Sequence, residues 1–78
     1  MRLYKVVCVM KSKVRYYRQE IGMTQKELAK KADVSRQTIN SLENGKYNPS
    51  LLLAYKITVL LGFDDIHEIF TFEKEDLE

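Results

Sequence analysis

Apolar residues recur at helical spacing along most of this chain, and the pattern is sharpest between Thr24 and Gly45. There Leu28, Ala29 and Ala32 share one face while Lys26, Lys30 and Lys31 take the other, the arrangement of a short amphipathic helix. Thr24 and Glu27 stand at capping-box spacing and predict its start. Asp33 interrupts the pattern, Val34 adds an apolar plug, and Ser35 is a good N-cap for a second helix. That helix sends Thr38, Ile39 and Leu42 inward or along its flank, leaves Arg36, Gln37, Asn40 and Ser41 outward, and closes at Asn44-Gly45.

Before this pair, Ser12 is placed to cap a first helix carrying Val14, Tyr17 and Ile21 inward until Gly22 ends it, and Met23 is set to pack on Leu28. After the pair, Lys46 to Ser50 reads as a loop, and Ser50 caps a fourth helix with Leu53, Ala54, Ile57, Leu60 and Leu61 on its apolar side. Asp65 and Glu68 repeat the capping-box spacing and predict a short fifth helix with Ile66, Ile69 and Phe70 inward. At the ends the period changes. Residues 2 to 10 are rich in Val and alternate Tyr4, Val6, Cys8 and Met10 on one face, reading as a strand or arm, with a disordered leader before Met10 as the other reading. The natural partner strand lies in residues 69 to 75. The expected organisation is an arm at residues 1–10, a helical domain at 11–70 and an acidic tail at 71–78.

The outward face of the helix beginning at Arg36 carries the informative chemistry. Solvated helices are commonly dressed with Glu and Lys, whereas Arg36, Gln37, Asn40 and Ser41 offer directional hydrogen bonds. Arg can fork onto guanine O6 and N7, and Gln or Asn can pair with adenine N6 and N7 in the major groove. The segments TQKELA, ADVS and RQTINSLENGKYNPS together resemble the helix-turn-helix of the Cro and phage-repressor family of regulators, over Val14 to Phe70. The resemblance implies an all-α, five-helix, lambda-repressor-like DNA-binding domain, to which the terminal segments would add a short two-stranded antiparallel sheet. It departs at Asp33, where the family often has glycine; Asp tolerates the left-handed conformation that the turn needs.

The resemblance assigns roles. Arg36, Gln37, Asn40 and Ser41 would meet base edges; Gln25, Thr38, Asn44, Lys46 and Tyr47 would hold the sugar-phosphate backbone. Arg18 and Glu43 would pair across the core. Phe63, Ile66, Ile69, Phe70 and Phe72 are the candidates for a dimer interface, since one such module makes few contacts and a homodimer would bind a palindromic operator, as a repressor would. The alternative is a protein-interaction module, such as the antitoxin of a toxin pair with a small protein partner.

Composition narrows the field further. Seventy-eight residues at 45% apolar content suit one small domain. One cysteine, Cys8, cannot form an internal disulfide, and with one histidine it falls short of the roughly four ligands of a structural zinc site. No metal or other cofactor is expected, and the compartment is expected to be the cytoplasm. No apolar run approaches the ~20 residues of a membrane span. Nothing in the chain resembles a catalytic arrangement of paired carboxylates, a cysteine and histidine pair or a phosphate loop, so no enzyme is expected. The net charge of +2 is small, but residues 1 to 31 hold nine Lys or Arg against two acids, while residues 63 to 78 hold one Lys against seven. A basic front and an acidic tail suit a domain that meets a polyanion with one side.

Overall fold

The computed structural model describes residues 11–71. The elements run β1 (Lys11–Ser12), α1 (Val14–Glu20), α2 (Gln25–Ala32), α3 (Arg36–Glu43), α4 (Leu51–Leu60), a single 3-10 turn (Ile66–Glu68) and β2 (Phe70–Thr71). The expected arm at residues 1–10, most of the tail, and Phe72 lie outside the described residues.

Local chemistry sets the boundaries of α2 and α3. Glu27 N–H donates to Thr24 Oγ1 at 3.0 Å and Thr24 N–H to Glu27 Oε1 at 2.8 Å, completing the capping box. Asp33 closes α2 at φ 62°, in the left-handed region that its short polar side chain tolerates. Ser35 Oγ then accepts from Thr38 N–H and starts α3. Ser50 does the same for α4 through Leu53 N–H. Gly45, at φ 72°, takes the chain out of α3.

Helix α2 packs against both α3 and α4. Leu28, Ile39 and Ile57, one from each of these helices, are fully enclosed and form a core with Val14, Ala29, Ala32, Leu42, Leu53, Ala54, Leu61, Ile69 and Phe70. Each such side chain contributes about 1.5–3 kcal/mol relative to exposure. Thr58 is buried too, and its hydroxyl donates to the Ala54 carbonyl at 2.8 Å. Lys56 reaches the Ala32 carbonyl at the C-terminus of α2, where a cation meets the negative end of the helix.

Three expectations are corrected. Ser12 does not cap α1: it pairs with Phe70 in the antiparallel β1/β2 ladder, with Lys11 opposite Thr71, and the helix begins after Lys13 without a side-chain cap. Ile21 is exposed, because α1 ends before it and Gly22 at φ 71° turns the chain away. The expected fifth α-helix does not form at residues 65–70, and the described residues hold four α-helices and one 3-10 turn. Asp65 Oδ1 accepts from His67 N–H rather than from the third residue on, and Lys13 N–H draws the Ile69 carbonyl into the sheet at 2.8 Å. The strand claims the residues that a longer helix would need.

That same geometry decides the placement of the expected dimer residues. Ile69 and Phe70 are 0% and 2% exposed and close the core, while Phe63 and Ile66 are half-buried against it. The Phe63 ring lies 4.7 Å from that of Tyr17.

Candidate nucleic-acid interface

Helix α3 is held from beneath by Ile39 and Leu42, which fixes its polar face outward. Arg36, Gln37 and Asn40 are exposed and line one open depression, and Arg36 borders a second with Met23, Thr24, Gln25 and Lys26. The N-terminus of α2 and the face of α3 are therefore one surface. Arg36 and Gln37 make no side-chain hydrogen bond to another described residue, so their donors are available to an external partner. Ser41, the next residue along the helix, is half-buried. Lys46 and Tyr47 are exposed on the loop that leaves α3.

Behind this surface lies a buried ion pair. Glu43 has a fully enclosed side chain and receives Arg18 Nε at 2.7 Å on Oε2 and Arg18 Nη2 at 3.2 Å on Oε1. Arg18 also donates Nη1 to the Met23 carbonyl at 2.7 Å, tying the approach to α2 to the end of α3. This is the pairing implied by the family resemblance, in a structural role.

Two further side chains join the carboxylate. Gln25 Nε2 donates to Glu43 Oε1 at 3.0 Å and to Asn40 Oδ1 at 3.3 Å. Arg15, which the sequence reading did not single out, reaches Glu43 Oε1 with Nε at 3.3 Å and Asn44 Oδ1 with Nη2 at 2.8 Å. Asn44 Nδ2 in turn donates to Asn40 Oδ1 at 3.3 Å. Of the residues expected at phosphates, Gln25 and Asn44 are thus already engaged within the protein, and Thr38 shares a 2.9 Å hydroxyl contact with Ser35.

Burial is the largest single influence on Glu43 and opposes its ionisation. The hydrogen bonds from Arg18 and Gln25, the charge of Arg18 and the bond from Arg15 together outweigh it and hold its carboxyl below the usual glutamate value. A depressed folded-state pKa contributes stability that is present above the unfolded value and is lost as pH falls through the folded one. Glu27, through the Thr24 backbone N–H, and Asp65, through that of His67, shift in the same direction. Urea titrations of the wild type and Glu43→Gln at stepped pH are expected to differ most near neutrality and to converge as pH falls from the ordinary glutamate range through the lower folded-state value. A gap that widened with acid would contradict this account of Glu43.

Comparison with known proteins agrees with this geometry. The family model described as helix-turn-helix matches residues 14–65. A helix-turn-helix-type transcriptional regulator from Archaeoglobus fulgidus is 52% identical over 68 residues, covering 87% of this chain and 96% of the relative. One from Methanocaldococcus jannaschii is 51% identical over 67 residues, covering 86% and 100%. The chain belongs to the helix-turn-helix transcriptional regulators. Among solved structures, the restriction-modification controller protein C.AhdI from Aeromonas hydrophila superposes with a TM-score of 0.67 at 27% identity, covering 72% of this chain and 83% of that one. In this helix-turn-helix regulator α2 and α3 form the motif itself, and the exposed polar face described above belongs to its second helix. Among the described residues no cluster of His, Cys, Asp or Glu could hold a metal ion, and no helix is long and apolar enough to cross a membrane.

Proposed function

We propose that this regulator binds a specific duplex DNA sequence as a homodimer, with α3 in the major groove, and acts in the cytoplasm as a repressor by occupying a palindromic operator. The observation that carries the reading is the face of α3: Arg36, Gln37 and Asn40 exposed side by side, with the one carboxylate of the helix, Glu43, enclosed and paired with Arg18, on a helix locked from behind. Arg36 and Gln37 stand at the N-terminal end of the helix, which docks nearest the bases in this motif. Ser41 flanks them. Lys46 and Tyr47 hold phosphates and set the register, while Gln25, Thr38 and Asn44 hold the readers in place from the protein side.

The roles separate on mutation. Arg36→Ala is expected to cost about 1–3 kcal/mol on the preferred site and to relax one base pair of specificity. Lys46→Ala is expected to weaken all sequences alike and to reduce the salt slope by about one. Competition binding with specific and random duplexes over a salt series measures both. Identical behaviour of the two variants on specific and random DNA would refute the division.

The dimer reading rests on α4. Its buried side holds Leu53, Ala54, Ile57 and Thr58, yet Leu51 and Leu52 are 77% and 72% exposed, and Tyr55 and Val59 about half. At about 100° per residue these four fall on one arc of the helix, opposite the core. Charge is absent from the stripe. An apolar stripe of this kind can pack against its own copy across a two-fold axis, as an isologous dimer requires, and would supply the apolar centre of the interface. Sedimentation at micromolar concentration is expected to give a dimer for the wild type and a folded monomer for Leu52→Glu. A wild type that remained monomeric with and without DNA would refute the dimer.

A further inference from the structure

Resting on the proposed reading of DNA by α3, we propose that Arg15 is a positioning residue that, acting through Asn44 and together with Gln25, keeps the Asn40 amide oxygen occupied, so that this asparagine presents only a donor and selects guanine rather than adenine. An amide side chain has a donor end and an acceptor end, and only its neighbours determine which way round it sits. Here both limits of the network are unambiguous. Arg15 is donor-only, so Asn44 must turn Oδ1 toward it, at 2.8 Å. That leaves Asn44 Nδ2 to donate to Asn40 Oδ1 at 3.3 Å. From the other side, the Glu43 carboxylate is acceptor-only when ionised, so Gln25 must turn Nε2 toward it, at 3.0 Å. The same Nε2 reaches Asn40 Oδ1 at 3.3 Å.

Asn40 Oδ1 therefore receives two donors from within the protein, and its two lone pairs are filled. Nothing among the described residues accepts from Asn40 Nδ2, and the residue lies exposed between Arg36 and Gln37. The bidentate pairing of asparagine with adenine requires the oxygen to accept from adenine N6 and the nitrogen to donate to N7. With the oxygen occupied, adenine N6 is left unpaired. Guanine presents two acceptors, O6 and N7, to the two hydrogens of Nδ2, and cytosine presents a donor that finds no acceptor. The protein's own network thus converts an adenine reader into an acceptor-edge reader: Gln25 fills one lone pair of Asn40 Oδ1, and Arg15, acting through Asn44, fills the other without itself being required to touch a base.

The test is selection of bound duplexes from a random pool by the full chain, with Asn40→Ala marking the base pair that Asn40 reads. The wild type is expected to enrich guanine there over adenine by about tenfold. Arg15→Met, which keeps the aliphatic stem and removes the donor, is expected to lose most of that preference at this position alone, and Arg15→Lys to retain it. Thermal midpoints of the three proteins separate this from a loss of folding. A consensus with adenine at the Asn40 position, or one unchanged by Arg15→Met, would overturn the proposal and leave sequence-specific binding standing; absence of any consensus would overturn that binding instead. Independently of DNA, side-chain amide hydrogens of Asn44 and Gln25 are expected to exchange with water more slowly than those of Asn40 in the free protein, and Arg15→Met to speed exchange at Asn44. Equal rates at all three would overturn the network on their own.

Discussion

Arg18→Met is expected to destabilise the domain by about 3–5 kcal/mol, because it leaves the enclosed Glu43 carboxylate without its principal partner. Arg18 is itself only 8% exposed and makes two bonds to Glu43 and one to the Met23 carbonyl. A methionine fills much of the volume but answers neither the carboxylate nor the carbonyl. Small domains carry a total stability of about 5–15 kcal/mol, so the loss is a large share of it. The thermal midpoint should fall by roughly 15–30 °C at this chain length. Pairing the change with Glu43→Leu is expected to recover much of the loss, since no buried charge is then stranded. A single variant that melted within a few degrees of the wild type would show that the pair is not a structural lock.

Ile39→Ala is the second large effect, expected at about 2–5 kcal/mol from lost transfer energy and the cavity left behind. Ile39 is fully enclosed and lies on the underside of α3, between Gln37 and Asn40 in sequence. Its packing is what obliges those two side chains to face outward. Urea denaturation measures the stability change. Binding to the preferred duplex, measured well below the melting temperature, should also weaken, because Leu42 is then left as the apolar anchor of α3 beside the Arg18–Glu43 pair. Full retention of specific binding would mean that the readers are oriented by the hydrogen-bond network alone.

The parts of this fold that were legible in the sequence are those fixed by neighbours in the chain. The Thr24 and Glu27 box and the Ser35 cap involve residues three apart and form as the spacing predicts, and Asp33 takes the left-handed conformation that the family resemblance implies for the turn. Ser12 failed as a cap because a tertiary partner, Phe70, competes for it in the sheet. The predicted fifth helix failed for the same reason: spacing at Asp65 and Glu68 describes a local preference, and the strand beginning at Phe70 overrides it. In α4 the expected Leu53, Ala54, Ile57 and Leu61 are buried, Leu60 is half-buried and Thr58 is buried as well, but apolar residues continue around most of the helix, with Lys56 its one charge. Periodicity cannot distinguish a core face from an interface there, so Leu51, Leu52, Tyr55 and Val59 went unremarked.

At the candidate site the outward set of Arg36, Gln37 and Asn40 was visible from helical phase, and the family resemblance supplied Arg18 and Glu43. Arg15 gave no signal. An arginine on an exposed helix face is ordinary in sequence, and its meaning depends on Glu43 and Asn44, brought to it only when α3 docks across the end of α1. Ile69 and Phe70 look alike as core or interface residues in a string of letters. Only the closure of β2 onto β1 places them inside.

Sequence-specific binding is tested most directly by selecting bound duplexes from a random pool at physiological salt, where non-specific phosphate attraction is weakened. The expected result is an enriched inverted repeat whose half-sites lie about one helical turn, roughly 34 Å, apart. Recovery of no consensus, with binding that simply fades as salt rises, would contradict it.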